Sequence, residues 1–294
     1  MRPETIFTNG RIVTADAEFE GTVVVRDGRI VDVSQGRSHA ATIDLEGDYF
    51  VPGLVELHTD NLEKHFAPRP GVKWPSVPAL MAHDTQIAAA GITTVFDSLA
   101  LGDVRGETDR VRNKERMIEA ICAASERRLT RAEHRLHLRC EIIAEDAVET
   151  VDRWIDLPLV GLVSINDHTP GQRQFLDPEK LRLYHTKKYG MTNEEFEVFK
   201  AQSVALHEKN AVRHRNEIVS RAQARALPIA SHDDATAEHV QEAVRLASLN
   251  PARAVGLSDR GEIAAGRLAD LVRVRVLGDA PVVRAVWRGG ERVV

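Results

Sequence analysis

Cysteine is nearly absent: Cys122 and Cys140 are the two thiols in 294 residues. That excludes a disulfide framework and fits a reducing compartment. Long apolar runs are missing too, and no stretch approaches the roughly 18 residues that a membrane helix needs. An excess of positive charge is also lacking. Thirty-nine Lys and Arg face forty-four Asp and Glu, for a net charge of −5, which argues against a protein that coats nucleic acid. Residues Met1 to Ile6 enter a strand-like pattern with no signal-peptide core. A cytoplasmic location is expected, with neither membrane nor nucleic acid as partner. What remains is a globular mix, 43% hydrophobic and 28% charged, long enough for one large domain or two ordinary ones. Twelve histidines are the first sign of chemistry. Any bound metal is expected to take nitrogen and oxygen ligands rather than sulfur.

The two ends read alike. Ile6-Phe7, Arg11–Val13, Thr22–Arg26 and Arg29–Val33 are β-branched runs, punctuated by the hairpin signals Asn9-Gly10 and Asp27-Gly28. Leu271–Val276 and Val282–Trp287 are strand-like, with a turn at Arg288-Gly-Gly-Glu291. A small β-sandwich from residues 1–51 and 256–294 is expected, with residues 52–255 inserted into it. The insert alternates apolar runs with helical stretches. Strands are expected at Gly53–His58, Thr93–Asp97, Leu136–Ile143, Val160–Asn166 and Leu227–His232. Helices are expected at 77–90, 109–130, 146–155, 192–226 and 236–248. Thr192 and Glu195 have the spacing of a capping box. This alternation indicates parallel βα units. The fold class is α/β, an incomplete TIM-like (β/α) barrel with about five of the eight strands. An eight-unit barrel takes about 250 residues, more than the span from Gly53 to Asn250 offers.

Ligand-type side chains gather at the strand ends. In His58-Thr-Asp60 the side chains at i and i+2 share one side of a strand, so one nitrogen and one oxygen can meet an ion. Glu141, His168 and His232-Asp233-Asp234 follow three further strands. One histidine at a strand end is more often structural than a ligand; four such ends shift the balance toward Zn²⁺, Mn²⁺ or Fe²⁺. Two ions sharing Glu141 would clamp both sides of a displacement. Lys64, His65, Arg69 and Lys73 lie in a loop stiffened by Pro68, Pro70 and Pro75, and Arg173 ends a second Gly/Pro loop. These cations suit a phosphorylated small molecule, although a plain solvated loop accounts for them equally well. Trp74 and both cysteines read as packing residues. Arg213, Arg221 and Arg225 read as a solvated helix face.

Val51-Pro-Gly-Leu-Val-Glu-Leu-His58, Asn250-Pro-Ala-Arg-Ala-Val-Gly-Leu257, Arg260-Gly-Glu-Ile263 and Gly266-Arg-Leu-Ala-Asp270 resemble the amidohydrolase superfamily. Within it, Glu56–His65 with Arg69-Pro-Gly71, Ser164–Phe175 and Ala230–Thr236 resemble the ribose-1-methylphosphonate 5-triphosphate diphosphatases of the carbon–phosphorus lyase pathway. The resemblance implies hydrolysis of that triphosphate to the 5-phosphate and pyrophosphate, with one or two Zn or Mn ions. It implies His58, Asp60, Glu141, His168 and His232 as metal ligands, and Lys64, His65, Arg69 and Arg173 as substrate contacts. It breaks near Val240, where the family continues through three more strands and an aspartate expected to move protons. Asp233 is the residue nearest to a replacement. Two other readings follow from the same residues. One is hydrolysis of a C–N bond. The other is an internally deleted, non-catalytic remnant whose two open sheet edges a second copy of the chain would cover.

Overall fold

The computed structural model describes residues 4–40, 42–69, 71–104, 109–170, 178–231, 248–277 and 280–294. Arg173, His232, Asp233, Val240 and the helix expected at 236–248 lie outside the described residues. The chain opens with β1 (Thr5–Val13), β2 (Glu18–Arg26), β3 (Arg29–Gln35), β4 (Ile43–Asp44) and β5 (Tyr49–Pro52). Asp27 and Gly28 have φ of 49° and 79°, the two positive values that a tight turn between β2 and β3 requires. Asn9-Gly10 is not a turn. It lies inside β1, where the register with β2 shifts between Phe7 and Gly10. Positive φ at Asn9 (58°) is absorbed there by a β-bulge, so the two runs around it are one strand.

The parallel part follows as β6 (Leu54–Thr59), β7 (Ile92–Leu101), β8 (Glu133–Glu141), β9 (Val160–Asn166) and β10 (Ile229–Ser231). They form a five-stranded sheet ordered β10-β9-β8-β7-β6. Five strands were expected and five are found among the described residues. Among the described residues β6 does not pair with β10, so the sheet is an open half-barrel. Helices α1 (Asn61–Phe66), α2 (Ser76–Ala89), α3 (Asp109–Glu126), α4 (Ala147–Trp154), α5 (Pro178–Tyr189) and α6 (Asn193–Ala224) connect the strands. The Thr192 hydroxyl accepts from Glu195 N (3.2 Å) and the Glu195 carboxylate from Thr192 N (2.8 Å), completing the capping box. Arg221 and Arg225 are not merely solvated. They bind Asp152 on α4 and Asp156 just beyond it, tying α6 to its neighbour.

After α7 (Leu249–Ala254) the chain returns as β11 (Leu271–Leu277), β12 (Ala280–Arg288) and β13 (Glu291–Arg292). These join the first five strands in one eight-stranded sheet, because β11 pairs antiparallel with β5 and β5 parallel with β1. Phe7, Phe50 and Trp287 meet in its core with centroids 4.9 to 5.6 Å apart, fastening both chain ends together. Burying each ring contributes on the order of 2–3 kcal/mol.

Period-2 alternation gives the parallel sheet two faces. Leu99, Leu101, Leu136, Leu138, Cys140, Val163 and Ile165 face the helices and form the main core. Burial pushes the Cys140 thiol up, which fits a packing role. Phe96 and Leu162 face the concave side, where Val55, Ala252 and Leu257 cover them. Arg260 seals this filling near the strands' amino ends, donating to Thr94 Oγ1 (3.1 Å) and Glu133 Oε2 (2.5 Å). Burial pulls the Arg260 pKa down, but Asp259 and Glu133 overcome it and hold the guanidinium above its ordinary value. The α7 segment thus packs on the concave side of the sheet through Ala252, with Leu257 just beyond it.

Candidate functional site

The carboxyl ends of β6, β8 and β9 carry the polar residues. On β8, the central strand, His137, Arg139 and Glu141 alternate onto the concave face while Leu136, Leu138 and Cys140 enter the core. Glu141 contacts His168, which follows β9. Its Oε2 meets the ring Nδ1, and its Oε1 accepts from His168 N at 3.3 Å. A carboxylate can only accept, so Nδ1 carries the proton and Nε2 is the nitrogen with a lone pair. The turn is fixed from behind: Asp167 Oδ1 accepts from Thr169 N (3.1 Å) and its hydroxyl (2.6 Å), and Asp167 Oδ2 lies 3.0 Å from His207 Nδ1 on α6. A histidine oriented by a carboxylate is the usual arrangement around a metal.

At the other edge, the His58 ring stands edge-on to His137, centroids 5.2 Å apart. Asp60 Oδ2 lies 3.6 Å from Arg139 Nη1. His58 and Asp60 lie beside His137 and Arg139, and Glu141 beside His168, as two groups along one face of β8; among the described residues no three of these four bring donor atoms within 4.8 Å of one another. Glu141 pairs with His168, while Asp60 faces a guanidinium that already offsets its charge. The donor set of two imidazoles and two carboxylates fits a divalent ion. His137 and Arg139 are additions that the strand-end search passed over, because they lie below the end. Their signal was the alternation of polar residues along 137, 139 and 141.

The expected phosphate-binding cations lie on and after α1, which forms inside the segment expected to be a loop. Lys64 is exposed, and its Nζ donates to Asn61 Oδ1 at 2.9 Å. Arg69 is exposed, bridged by its backbone to Val72. His65 is turned toward α2, with Nε2 3.0 Å from Gln86 Oε1. Trp74 is 50% exposed and so is not the packing anchor expected.

A second polar cluster lies behind the sheet. His83 on α2, Asp97 on β7 and His134 on β8 have one donor atom each within 4.8 Å of one another, so by distance they are a candidate metal-ligating group. All three are buried on the helix-facing side, away from the mouth. His134 Nδ1 lies 2.7 Å from Asp97 Oδ2, and Nε2 lies 3.3 Å from Asp84 Oδ1. Asp84 also accepts from Arg131 N (2.9 Å) and Ala132 N (3.0 Å). Burial alone would lower the His134 pKa, but the two carboxylates raise it to about 9. Both carboxyls are held below their ordinary value, since His134 and their other donors outweigh burial. An imidazolium between two carboxylates accounts for the cluster's charge, and it clamps α2 to β7 and β8.

Residues 210–293 match the model of the amidohydrolase family. A relative from Escherichia coli (strain K12), alpha-D-ribose 1-methylphosphonate 5-triphosphate diphosphatase, is 41% identical over 245 residues. The match covers 83% of this chain and 65% of that relative, so the chain spans less than two thirds of its length. Among solved structures, a D-hydantoinase superposes with a TM-score of 0.57 at 17% identity, covering 99% of this chain and 95% of that one. A 5-methylcytosine deaminase from Klebsiella pneumoniae, liganded with phosphonocytosine, gives 0.58 at 13%, covering 99% and 98%. At such identity these two speak for the fold alone, a TIM-like barrel.

Proposed function

We propose that the chain is a member of the amidohydrolase family and that it serves the hydrolysis of ribose-1-methylphosphonate 5-triphosphate to the 5-phosphate and pyrophosphate; the family match over residues 210–293 and the 41% identity to the diphosphatase support this reading. The observation that carries this reading is the mouth of the half-barrel. There Glu141 orients His168 on one side, and His58 and Asp60 end a neighbouring edge strand. The 41% identity to the diphosphatase supports the choice of substrate over a C–N bond.

His58, Asp60, Glu141, His168 and His232 would hold one or two divalent ions, Zn²⁺ or Mn²⁺. When bound, such an ion supplies Lewis-acid stabilisation of phosphoryl oxygens and acidifies a water. The chain's own residues do the rest. Glu141 fixes the tautomer of His168, and Arg139 holds Asp60 in place. Lys64, Arg69 and Arg173 are the cations for the substrate's phosphate and phosphonate oxygens. His65 joins them only if its ring leaves Gln86. Asp233 or Asp234, both outside the described residues, would accept the proton. The test is pyrophosphate release from the triphosphorylated ribose phosphonate, alongside the metal content of the purified chain. Release that disappears in Glu141→Ala and His168→Ala supports the reading, whereas metal-free protein with no response to added Zn²⁺ or Mn²⁺ overturns it.

Among the described residues β6 and β10 do not pair with one another, which favours a second reading, a remnant that binds metal and phosphate without turning substrate over. Binding of the triphosphate with no pyrophosphate release selects it.

A further inference from the structure

Strand β6 leaves its ladder one step before the site. Glu56 pairs with Val95 and Thr59 with Asp97, so Leu57 and His58 together face the single residue Phe96 of β7. This two-against-one count is a β-bulge, a feature that re-aims side chains beside functional sites. The register shift encloses one peptide unit, whose carbonyl belongs to Leu57 and whose amide belongs to His58. Buried or half-buried backbone groups need partners. Here both partners are side chains. The Glu56 Oε1 accepts from His58 N at 2.7 Å. The His137 Nδ1 donates to Leu57 O at 2.9 Å, with Ser98 Oγ 3.0 Å from the same nitrogen. A carbonyl oxygen only accepts, so the His137 proton is on Nδ1.

We propose that Glu56 and His137 are positioning residues that grip the two ends of the Leu57–His58 peptide and so aim His58 at the metal site. The inference rests on the proposed metal reading of the mouth. A peptide held only at its amide is free to rotate about its carbonyl end, and the reverse also holds. With both ends held its plane is fixed, and with it the Cα–Cβ direction of His58. The same contact sets the His137 ring edge-on to the His58 ring, which limits the imidazole's rotamers. His137 is 2% exposed, whereas Glu56 is only half-buried, so the two arms differ in how far they can be changed without unfolding.

The test is Zn²⁺ affinity of the full chain by chelator competition, with hydrogen exchange of the His58 amide read in metal-free protein. Glu56→Leu and His137→Phe remove one arm each. Each is expected to weaken binding 10- to 100-fold, the usual effect of losing an outer partner of a ligand. Glu56→Leu should also speed exchange of the His58 amide. Glu56→Gln keeps an acceptor at Oε1 and is expected to restore affinity to within a few-fold. Should His137→Phe fail to fold, Glu56→Leu and its Gln counterpart decide the matter alone. Wild-type affinity in Glu56→Leu, while His58→Ala loses the metal, overturns the clamp and leaves the metal reading standing. Unchanged binding in His58→Ala overturns the metal reading itself, and the clamp's role with it.

Discussion

His134 lies 2.7 Å from Asp97, both buried between the sheet and α2, and the other nitrogen of the same ring faces Asp84. A single imidazolium therefore spans two elements. Its folded pKa of about 9 stands above the ordinary 6.5. The stabilisation is fully present below pH 6.5 and is lost as pH rises through about 9. At 1.36 kcal/mol per unit it is worth roughly 3 kcal/mol. Chemical unfolding between pH 6 and 10 should show stability falling by about that amount. His134→Gln should be less stable at pH 6 and should flatten the slope. An unchanged slope in that variant would place the titration elsewhere.

The two polar clusters should separate cleanly in metal binding. His168→Ala or Glu141→Ala at the mouth is expected to weaken Zn²⁺ binding by at least tenfold. His83→Ala behind the sheet is expected to keep the metal content and to lower stability by about 1–3 kcal/mol, because it leaves Asp97 one hydrogen bond short. Loss of metal from His83→Ala with none lost from His168→Ala would move the site behind the sheet.

Much of this architecture was legible from pattern, and the misses have physical reasons. Hydrophobic runs gave all five parallel strands, since strands buried on both faces leave near-continuous apolar segments. Val160–Asn166 was found at its exact bounds. Helix α1 was hidden by the prolines after it, and α5 by its weakly segregated, charged sequence. The cluster behind the sheet was hidden because His83, Asp97 and His134 are far apart in sequence, and β7 runs on to Leu101, so that Asp97, the end of the strand expected at Thr93–Asp97, lies in mid-strand. The clamp on Leu57–His58 depends on a register shift, and nothing in a single strand's alternation announces one.

Arg260 is expected to be the most sensitive residue of the C-terminal return. It is buried and donates to Thr94 and to Glu133, whose side chain is one-third exposed. Removing the guanidinium strands a carboxylate beneath the concave core. Breaking a buried pair costs about 3–5 kcal/mol, and the exposure of Glu133 reduces that to about 2 kcal/mol. Urea unfolding of Arg260→Ala should shift the midpoint accordingly at an unchanged m-value. A shift no larger than that of an exposed control, Arg284→Ala, would show that α7 is held by its apolar contacts alone.

Turnover by this chain is expected to be far below that of an intact barrel. Two independent features lead there. The mouth is built on five strands whose outer members, β6 and β10, do not pair with one another among the described residues. His58 therefore sits on an edge strand, held by side chains rather than by a closed ladder. Displacing a reacting group by about an ångström costs about 10²-fold. The resemblance also implies a last-strand aspartate that is not recognised in this sequence, and general-base help is worth about 10²–10⁴-fold. Metal and phosphate binding need neither, so both should survive while pyrophosphate release is slowed. The comparison that decides this sets the chain beside a version with a family-length segment restored after Val240, both assayed on the triphosphorylated ribose phosphonate. A gain of about 10³-fold or more on restoration is expected. Equal rates would mean that the half-barrel, with α7 packed into its concave face, already holds every group the reaction needs.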